Sequence, residues 1–153
     1  MYKKIKSDIF TLKDFYVRIF NIKRGIKMSQ NSGQNFGEHK YYTDKRPWGY
    51  YTVIAEGKNF KTKIIHVNVN QRLSLQSHEH RSEHWVVLSG TAKVILEGEE
   101  KILSAGHSID IPVKAIHSLQ NPFKEDLEII EVQMGEILSE DDIKRYEDIY
   151  GRI

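Results

Sequence analysis

The chain has seven histidines and no cysteine, so any metal site in it must be built from imidazole, carboxylate or amide donors. The run Gln76-Ser77-His78-Glu79-His80 spaces such donors so that they can act together. Alternate residues of a strand point to one face, which puts Gln76, His78 and His80 in a row. Glu83 follows a short turn later. His117 comes from a separate stretch, Gly106-His-Ser-Ile-Asp-Ile-Pro112-Val-Lys-Ala-Ile-His117-Ser-Leu-Gln-Asn121, after a turn containing proline. A His-x-His pair alone is weak evidence, because an exposed strand face carries two histidines with no ligand role. A third imidazole and a carboxylate on other strands make the row a candidate centre for one divalent ion. For such nitrogen and oxygen donors Zn2+ is the first choice, with Mn2+, Fe2+, Co2+ or Ni2+ as alternatives.

Those donors need short strands to position them, and the pattern from Asp44 onward supplies them. Alternating or apolar runs at 50–55, 60–69, 72–78, 83–88, 91–97, 101–103, 108–111, 115–120 and 126–134 are broken by Gly, Asn and Pro. Many short strands with turn signals between them predict an antiparallel sandwich or barrel. The C-terminal stretch changes period. Ser139 stands at an N-cap position with Asp142 three residues on, Glu140 and Asp141 suit the positive end of a helix dipole, and Ile143, Tyr146 and Tyr150 form a stripe that ends at Gly151. This predicts a short C-terminal helix.

At 153 residues the chain suits one domain with one buried core. Its formal charge of +2 is unevenly spread. Residues 1–27 hold eight Lys/Arg against two Asp, a charge of +6, which leaves −4 for residues 28–153. Ile5, Ile9, Leu12, Phe15 or Tyr16, Ile19 and Ile22 recur at helical steps among those lysines, the pattern of a basic amphipathic segment with a helix as its expected form. Residues 28–43 read as a polar linker and 44–153 as the barrel domain with its C-terminal helix. A mildly acidic body excludes an electrostatic footprint for nucleic acid outside the basic N-terminal segment. No run approaches the roughly 18 apolar residues of a membrane span, and Lys13, Asp14 and Arg18 interrupt any signal-peptide core. A cytoplasmic location is expected.

The two donor stretches resemble the two cupin motifs in their usual order. The second matches Gly, five residues, Pro-x-Gly, two residues, His, three residues, Asn, with Lys114 in place of the glycine; in the first, Glu83 is followed by Gly90 at the family's spacing. The resemblance implies an all-β fold, a cupin-type double-stranded β-helix or jelly-roll barrel. The usual cupin glutamate lies five residues after the second histidine of the pair, so counting back from Glu83 reaches His78 and then Gln76. The register therefore implies the ligand set Gln76, His78, Glu83 and His117, with His78, His80, Glu83 and His117 as the alternative.

The strings RPWGYY (46–51), LSLQSHEHRSEHWVVLSGTAKV (73–94), IPVKAIHSLQNP (111–122), IIEVQMGEIL (129–138) and SEDDIKRYEDIYGR (139–152) extend the resemblance. They are similar to the C-terminal isomerase domain of the bifunctional type II mannose-6-phosphate isomerase/mannose-1-phosphate guanylyltransferase family. No glycine-rich nucleotide-binding loop precedes them, so the guanylyltransferase half is expected to be absent. Three positions depart from the family: Val69-Asn70 replaces a Pro-Gly turn, Ile64 replaces an arginine, and Lys114 replaces the glycine already noted. The lost arginine is expected to weaken substrate binding, and the lost glycines predict either positive φ at non-glycine residues or altered turns.

The resemblance implies interconversion of mannose 6-phosphate and fructose 6-phosphate through a cis-enediol. The proton between C1 and C2 needs a general base, for which His80, Glu131 and Lys63 are candidates. The phosphate needs guanidinium donors, for which Arg81, Arg145 and Arg152 are candidates. Cupin barrels commonly pair, so a homodimer is expected. The competing reading is a sugar-binding or regulatory cupin without turnover, because a fold does not fix a function.

Overall fold

The computed structural model describes residues 42–152. The basic segment 1–27 and nearly all of the polar linker 28–43 lie outside the described residues. Twelve strands follow in order: β1 (Tyr42–Arg46), β2 (Gly49–Gly57), β3 (Phe60–Val67), β4 (Gln71–Arg72), β5 (Leu75–His78), β6 (Arg81–Ser89), β7 (Thr91–Leu96), β8 (Glu99–Ser104), β9 (Ser108–Ile111), β10 (His117–Asn121), β11 (Leu127–Gly135) and β12 (Ile143–Glu147). They form two antiparallel sheets, one ordered β1-β2-β3-β11-β6-β9 and the other β12-β5-β10-β7-β8, with β4 also on β10. Neighbours in the sheets that are distant in the chain, such as β3 with β11 and β5 with β10, are the jelly-roll arrangement. The all-β cupin barrel expected from the sequence is the fold observed.

Much of the buried interior is apolar: Trp48, Val53, Val67, Val87, Val94, Leu119, Leu127 and Ile129 belong to one buried cluster. The same strands also bury polar residues: Lys63, Gln76, His78, Arg81, Glu83, His117, Glu131 and Gln133 are all buried. Burying that many charges is tolerable only if they are paired or reserved for a ligand.

Two strands were not expected. β1 has the charged sequence YTDKR and little apolar pattern, and its order comes from the ladder it forms along β2 from Tyr42 to Arg46. Tyr42 and Thr43, read from sequence as the end of the linker, are part of that ladder. The larger correction is at the C-terminus, where the expected helix is absent from the described residues apart from one 3-10 turn, Glu140–Asp142. Ser139 caps that turn as anticipated, its side chain accepting from the Asp141 N–H. Ile143 to Glu147 then continue as β12, which pairs with β5. An unpaired β5 edge leaves buried backbone groups without partners, and satisfying them outweighs the helical spacing of Ile143, Tyr146 and Tyr150.

The turns that lack the family's glycines keep their geometry. Asn70 has φ of 60° and Lys114 of 69°, both in the left-handed region. Asn tolerates this conformation better than most residues, whereas Lys114 bears the Cβ penalty outright. Both turns are fixed by main-chain bonds, from Asn70 N–H to the Asn121 carbonyl at 2.8 Å and from Lys114 N–H to the His78 carbonyl at 2.8 Å.

Candidate functional site

Strand register brings the donors together across the barrel. Gln76 on β5 lies between His117 on β10 and Arg145 on β12, its cross-strand partners on either side. Directly paired residues share a face. On the opposite sheet Glu83 pairs with Gln133 and Trp85 with Glu131 across β6 and β11, while Glu131 pairs with Lys63 on β3.

His78, Glu83 and His117 form a buried group whose donor atoms all lie within 4.8 Å of one another. His78 Nε2 is 3.1 Å from Glu83 Oε1, and His117 Nε2 is 3.7 Å from Glu83 Oε2. The second ring nitrogen of each imidazole faces a main-chain oxygen: His117 Nδ1 is 2.9 Å from Ala115 O and His78 Nδ1 is 3.4 Å from Asp142 O. Donation from Nδ1 to those oxygens suits the tautomer whose Nε2 can coordinate an ion. His117 Nε2 is buried and has no hydrogen-bond partner. An unsatisfied imidazole nitrogen beside a second imidazole and a carboxylate fits a divalent cation better than it fits a purely structural core.

Glu83 is also the centre of a hydrogen-bond network. Arg81 Nε donates to Oε1 at 3.1 Å, Gln133 Nε2 to Oε1 at 3.2 Å, and Trp85 Nε1 to Oε2 at 3.1 Å. Burial pushes this carboxyl upward, but His78, His117 and Arg81 outweigh it and hold it well below the usual range. It is a carboxylate ready to coordinate. Glu131 behaves oppositely: burial and the neighbouring Glu83 charge raise it, against the pull of Lys63 and Arg81. Trp85 and Gln133 donate to Glu131 as well, at 3.2 and 2.8 Å. Burial lowers His117 despite the attraction of Glu83, which favours the neutral imidazole that a metal requires.

Beside the trio opens a pocket lined by Gln76, Glu83, Glu131, Lys63 and Arg145, and by the partly exposed Arg46 and Arg152. Lys63 sits 2.7 Å from Glu140 and 3.7 Å from Glu131, with its ammonium over the Tyr51 ring. Burial alone would lower its pKa, but the two glutamates outweigh it and raise it, so its role is that of a cation. Arg152 is held by Asp148 in a two-point contact at 2.9 and 2.6 Å. Arg145 Nε is buried without any partner.

The sequence candidates thus fall into distinct places. His78, Glu83 and His117 converge, and Gln76 adjoins them with Oε1 accepting from Ser74 Oγ at 2.8 Å. His80 does not join them: its side chain is 50% exposed and its Nδ1 faces Asp142 at 2.9 Å. Glu131 and Lys63 line the pocket, as do Arg145 and Arg152. Arg81 lines it too, but its donors are taken by Glu83 and, at 2.9 Å, by the Ser139 carbonyl. Sequence reading missed Arg46, Gln133 and Glu140. Gln133 was traceable, because it stands two residues beyond Glu131 on the same face of β11.

Residues 31–148 match the family model described as mannose-6-phosphate isomerase C-terminal. The chain belongs to this family. Within it, the chain is 47% identical over 120 residues to the mannose-1-phosphate guanylyltransferase ManC of Salmonella typhimurium, covering 76% of this chain and 25% of that protein. It is 51% identical over 107 residues to the alginate biosynthesis protein AlgA of Pseudomonas aeruginosa, covering 70% and 22%. It is 42% identical over 150 residues to the xanthan biosynthesis protein XanB of Xanthomonas campestris pv. campestris, covering 97% and 32%. The chain therefore spans about a third or less of these family members.

Among solved structures, an RmlC-like cupin from Shewanella frigidimarina superposes with a TM-score of 0.59 at 22% identity, covering 74% of this chain and 98% of that one. KdgF from Halomonas sp. gives 0.58 at 20% identity, covering 72% and 98%. At such identities the agreement concerns the fold. No helix among the described residues is long and apolar enough to cross a membrane.

Proposed function

We propose that the chain is a metal-dependent aldose-ketose isomerase that interconverts mannose 6-phosphate and fructose 6-phosphate through a cis-enediol. The observation that carries this reading is the composition of one pocket lining. Gln76 and Glu83 stand in it beside the imidazoles, and so does Arg145, with an unpartnered buried Nε. Coordinating oxygens and an unpartnered guanidinium nitrogen in one lining suit a ligand with vicinal oxygens and a phosphate.

His78, Glu83 and His117 would hold the ion, with Gln76 as the fourth donor. Such an ion supplies Lewis-acid stabilisation of the negative charge that develops on the sugar oxygens, and Zn2+ suits the donors best. Arg145 and Arg152 bind the phosphate and so orient the sugar in the pocket. Of the three candidate bases, Glu131 fits best by position. It lines the pocket, whereas Lys63 is held as a cation and His80 faces Asp142 outside the donor group. Glu131 accepts and returns the proton at a carboxylate oxygen, held in place by Trp85 and Gln133. Relatives named for alginate and xanthan biosynthesis fit a supply of activated mannose for polysaccharide.

A coupled assay that detects fructose 6-phosphate formed from mannose 6-phosphate tests this. Turnover that a chelator abolishes and added metal restores is expected. Sugar-phosphate binding without turnover in the metal-loaded protein would transfer the chain to the non-catalytic cupins.

A further inference from the structure

The pocket contains a carboxylate that the proposed chemistry does not use. Glu140, on the 3-10 turn after β11, places its side chain among the lining residues together with Arg46, Lys63, Arg81, Arg145 and Arg152. Its Oε1 accepts from Lys63 Nζ at 2.7 Å. The side chain is 40% exposed, in contrast to the 5% of Lys63, so it reaches inward from the mouth.

The main chain around Glu140 is fastened independently of that carboxylate. Lys61 Nζ donates to Leu138 O at 3.3 Å and Arg81 Nη1 to Ser139 O at 2.9 Å. The Asp142 side chain accepts from the N–H groups of Glu79 and His80, both at 3.2 Å. Withdrawing the Glu140 carboxylate therefore requires a rotamer change and the loss of its ion pair with Lys63, with no movement of the turn. Because Lys63 is buried, the pair is given up only when another anion takes the vacated place beside its ammonium, while the half-exposed Glu140 carboxylate is resolvated by water.

We infer that Glu140 is an internal competitor for the anionic end of the ligand, a carboxylate of the chain itself that occupies the cationic mouth and is displaced when a phosphate enters. The inference deepens the sugar-phosphate reading of this pocket and rests on it. Two observations support it beyond position. Arg145, in the same lining, keeps an unpartnered buried Nε, so the guanidinium groups are not saturated by the chain's own acids. Lys63, Arg81 and Arg46 also outweigh the effect of burial and hold Glu140 charged, so the mouth is occupied by a full negative charge. A competitor of this kind sets specificity: only a ligand that brings its own charge recovers what the displaced pair gave up, and a neutral sugar does not.

The test uses the full chain and inorganic phosphate as the probe, followed by calorimetry. Glu140→Gln keeps the shape and removes the charge, and it is expected to tighten phosphate binding by about tenfold, the effect of removing one like charge at a partly solvated site. Glu140→Ala provides a second variant should the first fold poorly, and it should tighten binding in the same direction. Affinity for unphosphorylated mannose should stay the same in both. Arg145→Ala in the Glu140→Gln background should reverse the gain.

Unchanged or weaker phosphate binding in both Glu140 variants overturns the inference. So does a fall in kcat with phosphate affinity unchanged, which would make Glu140 a group acting on the substrate. Absence of phosphate binding in every form overturns it together with the sugar-phosphate reading. Tighter phosphate binding in a protein that turns over no mannose 6-phosphate leaves the inference standing and removes the isomerase reading alone.

Discussion

Replacing Lys63 by Met tests whether the buried charges of the barrel act as a network. Methionine keeps most of the volume and removes the ammonium that lies 3.7 Å from Glu131 and 2.7 Å from Glu140. Both Lys63 and Glu131 are only 5% exposed, so water does little to screen them. At an effective dielectric of about 20, a pair of unit charges 3.7 Å apart attracts by about 4.5 kcal/mol. Removing one partner of a buried pair costs about 3–5 kcal/mol, because the other charge is left stranded. The stranded group here is Glu131, already raised by burial and by Glu83, and its remaining donors are Trp85 and Gln133. Lys63→Met should therefore lose about 3 kcal/mol in urea denaturation at about pH 9, above the value of about 8 to which Glu131 is raised, where that carboxylate is charged. Adding Glu131→Gln should restore about 1.5–3 kcal/mol of that loss, since an amide needs no countercharge. A double variant no more stable than Lys63→Met would refute the reasoning, and it would mean that Glu131 enters the folded state already neutral and indifferent to Lys63.

Other positions give sharper or smaller effects. Gln76→Ala should weaken metal binding by about tenfold or more in chelator competition, while His80→Ala leaves it within about twofold; the reverse ranking would favour the His78 and His80 register. Lys114→Gly should raise stability by about 0.5–1 kcal/mol, because φ of 69° carries a Cβ penalty and its exposed contact with Glu79 at 3.4 Å is worth little. A less stable variant would mean that this turn is not strained. Asp148 is held below its usual value chiefly by hydrogen bonds from Arg152, against the effect of burial. A depressed carboxylate contributes stability that is complete above its unfolded value of about 3.9 and is lost as pH falls through the lower folded value. Stability should therefore decline in that acidic window in the parent and decline less in Asp148→Asn, as denaturation at several pH values will show.

Much of the barrel was legible because its strands carry their own signal. The nine runs read from alternation correspond to β2 through β11, with the run at 72–78 resolving into the end of β4 and β5. β1 and β12 were missed for a shared reason: each is an edge strand ordered by the partner it pairs with, and edge strands need little apolar pattern of their own. The convergence of His78, Glu83 and His117 was legible as well, since a motif fixes spacing and a barrel fixes where spacing leads. What the sequence could not give was direction. His80 sits two residues from His78, yet the chain leaves the β5 ladder after His78 and the His80 ring turns out toward Asp142. Arg81 read as a phosphate donor and proves to serve Glu83 and the Ser139 carbonyl. Such assignments depend on which buried acceptor lies nearest, and that is set by strands far away in the chain.

The central claim is that His78, Glu83 and His117 form a metal centre, and elemental analysis of protein purified without added metal tests it most directly. The parent should carry about one divalent ion per chain, and His117→Ala, which removes one imidazole from a centre of three or four donors, should carry almost none. Full metal content in His117→Ala, or a parent that takes up no divalent ion even when one is supplied, would contradict it.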